Sequence, residues 1–363
     1  FYEADTKKTL AEFKPALEGI TFQTKLGTML DKTKRVETLA PTLATTLGFS
    51  EADAKIAGEA ASLAKADLAT QLVMEFTSLA GVMGKHYATR EGLDAKLCDA
   101  VFEAALPRSS GDLLPSSPAG IAVAVADRLD TLVGLFAVVG APKATADPFG
   151  LRRAAYGAVQ ALVANGARCD ARAALAEAAA LQPVACGAET VGECVEYMTR
   201  RLEQYLVDSG CGIEAVRAVL AERGDDPAFA AATARELDEV VKAKGSDALK
   251  TAMAVLARPT KLVRGKELPE DLEVKRDSLV DAEEVALYDA YLAAREALGD
   301  GSASSVSDLL AAAATLSAPS EAFFDKVFVM AEDPELRRNR LALVNAVASL
   351  PTGIVDFAEL PGF

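Results

Sequence analysis

Residues 122–139, AVAVADRLDTLVGLFAVV, are apolar on almost every side of a helical projection. A helix of that kind has no face to offer water, so it must be buried by its neighbours. Those neighbours read as helices too. Amphipathic runs stopped by Gly or Pro fill the rest of the chain, and no stretch alternates polar and apolar residues as a half-buried strand would. Composition agrees: Ala and Leu are abundant, Trp is absent and aromatics make up 6%, which favours helices over a β-sandwich. The expected fold class is all-α, and 363 residues allow two to three domains.

Several elements are expected at stated places. One helix covers 22–48, kinked or split at Pro41. A second runs over about 51–80 and a third over about 91–106, and 107–120 is a loop by composition. Asp147-Pro148 and Asp333-Pro334 each place a capping carboxylate before a proline at the first helical position, so helices open there and run to about 164 and 350. In the first of these, Leu151, Ala155, Val159, Leu162 and Val163 form the core stripe and Arg152 falls inside it. An arginine on a core face needs a partner. Asp127 and Asp130, three apart on one face of the preceding helix, are the expected carboxylates of a structural ion pair with Arg152. In the last helix Leu336, Leu343, Val347 and Leu350 form the stripe. Arg340 lies beside it and is expected to be buried and paired, whereas Arg338 points the other way.

The chemistry available is narrow. The single histidine, His86, excludes zinc sites that need two or more imidazoles, and its setting in GVMGKHYA reads as structural or exposed. No G-x-G-x-x-G, P-loop or G-x-S-x-G is present. The five cysteines form no C-x-x-C and read as reduced thiols, the Cys186–Cys194 spacing being a poor zinc hairpin. No metal site is expected. No apolar run is long enough for a transmembrane helix, and no membrane partner is expected. A net charge of −15 excludes a uniformly basic nucleic-acid binder and confines any such contact to local cation clusters. The most basic stretch, residues 248–266, holds Lys250, Arg258, Lys261, Arg264 and Lys266 without an acid.

The blocks FQTKLGTMLDKTKRVETLA (22–40), SLAKADLATQLVMEFTSLAGVMGKHYA (62–88), GDLLP (111–115), ADRLDTLVGLFA (126–137), DPFGLRRAA (147–155) and FFDKVFVMAEDPELRRNRLALVNAV (323–347) resemble, in order and spacing, the β region of the bacterial two-subunit glycyl-tRNA synthetase (glycine–tRNA ligase). RRLEQYLVDSG, VRAVLAERG and PTKLVRGKEL look more like the plant or algal organellar form, in which α and β regions are fused. The resemblance implies four parts: the end of a preceding region (1–19), an HD-like helical domain (20–166), a helical connector (167–245) and an anticodon-binding bundle (246–363) similar to that of arginyl-tRNA synthetases. It implies tRNA(Gly) and an α catalytic region as partners, a dimer of αβ units, and ATP and Mg²⁺ bound outside this segment, where the aminoacylation site lies. It also implies residence in the chloroplast, possibly the mitochondrion, or in the cytoplasm for a bacterial protein. No catalytic residue is expected here.

Candidate tRNA contacts are Lys25, Lys32 and Arg35 in the first block, Lys261 and Arg264 in the basic stretch, and Arg337 and Arg338 near the end. Phe323, Phe324, Asn339 and Asn345 stand near enough in sequence to meet an unstacked base. Two other readings compete: a metal-dependent HD-type phosphohydrolase, and a non-catalytic helical scaffold. The counterparts of the HD residues are Ala66-Asp67 and Asp127, and without imidazoles they are a poor metal set.

Overall fold

The computed structural model describes residues 1–109, 111–143, 146–243, 246–269 and 272–363. The chain divides into two compact units, one of residues 1–205 and 225–229, the other of residues 206–224 and 230–363. The segment 167–245 contributes to both, and its far boundary at 245 lies outside the described residues. Residues 1–19 pack into the first unit, burying Leu10 and Leu17 completely.

The fold is all-α apart from one small hairpin of β1 (Thr21–Gln23) and β2 (Gly27–Thr28). The first unit then runs through α1 (Met29–Thr46), α2 (Glu51–Leu63), α3 (Val82–Arg90), α4 (Ala95–Glu103), α5 (Pro118–Val139), α6 (Leu151–Ala164) and α7 (Ala171–Ala180). α5 is the apolar segment anticipated above, and α1, α2, α4, α6 and α7 all pack against it. Ser117 caps it, Pro118 occupies its first position, and Gly140 ends it at φ +74°.

The helix expected over 22–48 begins later. Gly27 at φ +88° turns the hairpin, and Thr28 and Asp31 form a reciprocal capping box that fixes the start of α1 at Met29. The helix continues through Pro41, whose ring lies against Gly58 of α2, where a Cβ would stand 3.0 Å from Pro41 Cγ. The long helix expected over 51–80 stops at Leu63, because residues 66–79 break into short turns around the buried Asp67.

The start of α5 shows how tightly this unit is packed. Glu103 is buried and accepts hydrogen bonds from the Ser116 and Ser117 N–H groups and both hydroxyls. Gly120 makes room for it: a Cβ there would lie 1.9 Å from Glu103 Oε2 and 2.7 Å from its Cβ. Gly120→Ala is therefore expected to destabilise the first unit by about 1–3 kcal/mol, the usual cost of overpacking, read as a lower melting temperature with unchanged helix content.

α8 (Ala188–Asp208) carries the chain from the first unit to the second, which contains α9 (Ile213–Arg223), most of α10 (Pro227–Lys242), α11 (Asp247–Val263), α12 (Ala282–Leu298), α13 (Val306–Thr315), α14 (Ser317–Lys326) and α15 (Pro334–Ala348). α11 packs on α13, α14 and α15, and α12 on the same three. The C-terminal turn is tied back by the buried Arg223, which donates to the carbonyls of Gly301, Ser304 and Gly353 and to the Thr233 hydroxyl. Among the described residues no helix is long and apolar enough to cross a membrane.

Candidate nucleic-acid interface

The cations of the first block do not reach the surface together. Lys25 is exposed in the hairpin turn, but Lys32 and Arg35 are 2% and 8% exposed. They lie on the face of α1 that meets α5, opposite Asp127 and Asp130. Lys32 Nζ spends its three protons on Asp130 Oδ2 (2.9 Å), the Asp127 carbonyl (2.9 Å) and Thr131 Oγ1 (2.8 Å). Arg35 Nε donates to Asp130 Oδ1 at 2.6 Å and its Nη1 to the Leu26 carbonyl at 3.0 Å. Phe22 of the hairpin lies with its ring 5.0 Å from Lys32 Nζ, and Lys65 completes the cluster 3.0 Å from Asp127 Oδ1. Burial pushes the Asp127 and Asp130 carboxyls up, but the cations outweigh it and hold both below the usual carboxylate range.

Two expectations are thereby corrected. Lys32 and Arg35 are core ion-pair residues and are not available to a phosphate. Arg152 is not the partner of Asp127 or Asp130. It is only half-buried and its Nη2 donates to the Lys143 carbonyl at 2.6 Å, at the edge of α6. The acids face α1 rather than α6, so the carboxylate pair was foreseen and its partners were not.

Asp67, the counterpart of an HD aspartate, is 1% exposed and accepts from the N–H groups of Gly81 (2.6 Å) and Gly84 (3.0 Å), which open α3. Burial raises its pKa against those two hydrogen bonds. Asp127 is engaged by two ammonium groups. The two carboxylates of the HD comparison thus hold a helix N-terminus and an ion pair. Among the described residues no group of three or more His, Cys, Asp or Glu side chains is placed to hold a metal ion. His86 is exposed, with Nε2 2.9 Å from the Tyr2 hydroxyl.

In the second unit the register of α15 is as read from Asp333 and Pro334, with Asp333 Oδ1 accepting from the Glu335 and Leu336 N–H groups. Leu343, Val347 and Leu350 are buried. Arg340 is buried, donating to Glu284, to Asp281 Oδ2 (2.7 Å) and to the Phe328 carbonyl (2.9 Å). Arg338 is exposed on the opposite side, in a hollow it shares with Lys275 and three acids, Glu273, Asp333 and Glu335. Arg337 is half-buried, with Nη1 3.3 Å from the Ala331 carbonyl. Asn339 is buried and clamps the Lys275 backbone through both its amide atoms, and Phe323 is fully buried. Neither can meet a base. Asn345 remains half-buried in a groove with Tyr288 and Tyr291.

Two of the remaining candidates, Lys261 and Arg264, lie at the C-terminal end of α11. Arg258, Lys261, Arg264 and Lys266 are all exposed. Arg258 and Lys261 line a groove of about 570 Å³ with Phe324, Phe328 and Met330, and no acid contributes to its wall among the described residues. The Arg258 guanidinium lies 4.5 Å from the Phe324 ring centre, and its Nη2 donates to the Phe324 carbonyl at 3.2 Å. The far wall is the segment VFVM between α14 and α15. Val327 and Val329 point inward at 6% exposure, so Phe328 and Met330 point outward at 72% and 42%. Phe328 and Met330 were not among the sequence candidates. The period-two alternation of VFVM, between two helices, is the signal that could have found them.

This groove lies within residues 253–353, which match the DALR anticodon binding domain, and residues 1–221 match the model of the glycyl-tRNA synthetase beta subunit. The chain belongs to the glycyl-tRNA synthetase beta subunit family. Within that family it is 43% identical to glycine–tRNA ligase, chloroplastic/mitochondrial 2, of Arabidopsis thaliana, over 100% of this chain and 34% of that protein. It is 38% identical to the glycine–tRNA ligase beta subunit of Haemophilus influenzae and 37% to that of Actinobacillus succinogenes, each over 99% of this chain and 52% of the relative. The chain thus spans about half the length of its bacterial relatives and about a third of the plant one. The two family matches together take in both the α1–α5 ion cluster and the α11 groove.

Proposed function

We propose that this chain is the tRNA-holding β region of a glycine–tRNA ligase and that it grips tRNA(Gly) while the chemistry proceeds elsewhere. The observation that carries this reading is the groove of α11 that, among the described residues, holds Arg258 and Lys261 without an acid beside the exposed Phe328, in the segment that matches the DALR anticodon binding domain. A chain of net charge −15 repels RNA at a distance, so binding rests on such a local face and is strongly salt-dependent. On this reading glycine, ATP and Mg²⁺ are handled by an α region, fused to the β region or a separate subunit, and the working enzyme is a dimer of αβ units. The similarity to a chloroplastic/mitochondrial ligase supports an organellar setting, and the bacterial relatives a cytoplasmic origin.

Lys261 and Arg264 are the cations on which the proposal depends most, with Lys25 a further exposed cation on the first unit. Arg337 and Arg338 rank below them, the first for its half-buried setting and the second for the acids around it. The double variant Lys261→Ala/Arg264→Ala is expected to weaken tRNA(Gly) binding and to flatten the slope of log Kd against log salt by about 1.4–1.8, roughly 0.7–0.9 per phosphate contact. Its melting temperature should stay unchanged, because both side chains are exposed. An unaltered affinity and slope would remove this face from the interface. The phosphohydrolase reading finds no support in the geometry, since Asp67 and Asp127 are committed to a helix N-terminus and to lysines.

A further inference from the structure

Phe328 is the most exposed large apolar side chain in the second unit, at 72%, and it is held in place. Its carbonyl accepts from Arg340 Nη1 at 2.9 Å, and Arg340 is itself fixed by the buried Glu284 and by Asp281. On either side Val327 and Val329 are anchored in the core. Its neighbours across the groove are the Arg258–Phe324 stack and Lys261, and Lys266 Nζ closes one end 3.6 Å from Met330 Sδ. Phe328 forms one apolar groove with Phe324 and Met330, and a contiguous exposed apolar patch rimmed by polar groups marks a place where a ligand binds. A flat cover, apolar on its faces and attached to negative charge, suits this groove best, because its wall carries Arg258 and Lys261 and, among the described residues, no acid. An unstacked nucleobase on its phosphate backbone has those properties. Aromatic rings paired with nearby cations are the usual platform for single-stranded nucleic acid.

We propose that Phe328 is a base-stacking residue and that the α11 groove takes one nucleobase from a single-stranded loop of the RNA. This inference rests on the tRNA reading above and adds the chemical class of the ligand at one place. Stacking and phosphate contact separate experimentally, since only the second is coupled to salt.

The test uses the chain with tRNA(Gly) transcripts, one intact and others with a single abasic position in the anticodon loop, bound by fluorescence anisotropy at several salt concentrations. Phe328→Ala is expected to lose roughly 5- to 150-fold in affinity for the intact transcript, the range set by one stacked base, with its salt slope and melting temperature unchanged. Phe328→Trp should restore the affinity. One abasic transcript should bind the unaltered chain as weakly as the intact transcript binds Phe328→Ala, and should lose nothing more with that variant. If Phe328→Ala binds the intact transcript normally while Lys261→Ala/Arg264→Ala binds weakly, the stacking role is wrong and the tRNA reading stands. If the unaltered chain binds no transcript, both fail.

Discussion

Asp130→Ala is expected to lower the stability of the first unit by about 3–5 kcal/mol, the cost of stripping one partner from a buried ion cluster. In a unit of this size that corresponds to a fall in melting temperature of roughly 6–20 °C. The reason is that Asp130, 1% exposed, is among the described residues the one carboxylate shared by Lys32 and Arg35, and it also accepts from Gln182 Nε2 at 2.8 Å. Its loss leaves the Lys32 ammonium and the Arg35 guanidinium close together on the buried face of α1, with Asp127 already engaged by Lys32 and Lys65. The same cluster sets a pH dependence. Asp127 and Asp130 have carboxyls depressed below their unfolded value of 3.8, so their contribution is fully present above about pH 4 and is lost as the pH falls toward the folded values. Asp67 has the opposite sign. Its carboxyl is raised in the fold, so its contribution is present below pH 4 and declines as pH rises through the folded value. Thermal melts at pH 7 and pH 3 should show the unaltered chain losing stability on acidification, and Asp130→Ala losing less.

Arg340→Ala should produce a comparable loss in the second unit, again about 3–5 kcal/mol. Glu284 is fully buried, and Arg340 is its cationic partner. Its other contacts are the backbone N–H groups of Val280 and Asp281. The same guanidinium holds Asp281 and the Phe328 carbonyl, so α12, α15 and the VFVM segment all loosen together. Arg338→Ala, two residues away on the exposed side of the same helix, is expected to shift stability by no more than about 0.5 kcal/mol. Melting curves of the two variants side by side check the assignment. A fall in stability with Arg338→Ala, and none with Arg340→Ala, would mean that the register of α15 is wrong.

What could be read in advance follows from where the information sits. α5 was legible because an all-round apolar helix has only one environment open to it. The register of α15, and with it the burial of Arg340, was legible because Asp333 and Pro334 fix a helix start locally. The hairpin at 21–28 was not, because Leu26, Met29 and Leu30 also fit helical spacing, and the turn depends on a single glycine at φ +88°. The partners of Asp127 and Asp130 were not legible either. A carboxylate pair on a core face demands cations, but the choice between Arg152 on the next helix and Lys32 and Arg35, some 95 residues upstream, is made by how α1 and α6 dock on α5. Burial then removed four of the sequence candidates for RNA contact, Lys32, Arg35, Phe323 and Asn339, and left Lys261 and Arg264 among the exposed cations. Phe328 escaped notice because it lies between helices, in a four-residue stretch too short for a periodic signal to stand out.

We propose that this chain, despite its net charge of −15, holds tRNA(Gly) through a local cation face. It is tested most directly by titrating tRNA(Gly), and a tRNA for a different amino acid, into the chain at salt concentrations from about 50 to 200 mM, over which phosphate contacts weaken steeply. The account predicts saturable binding of tRNA(Gly), tighter than that of the other tRNA at every salt concentration and weakening as salt rises. Equal affinity for the two tRNAs, or binding indifferent to salt, would contradict it.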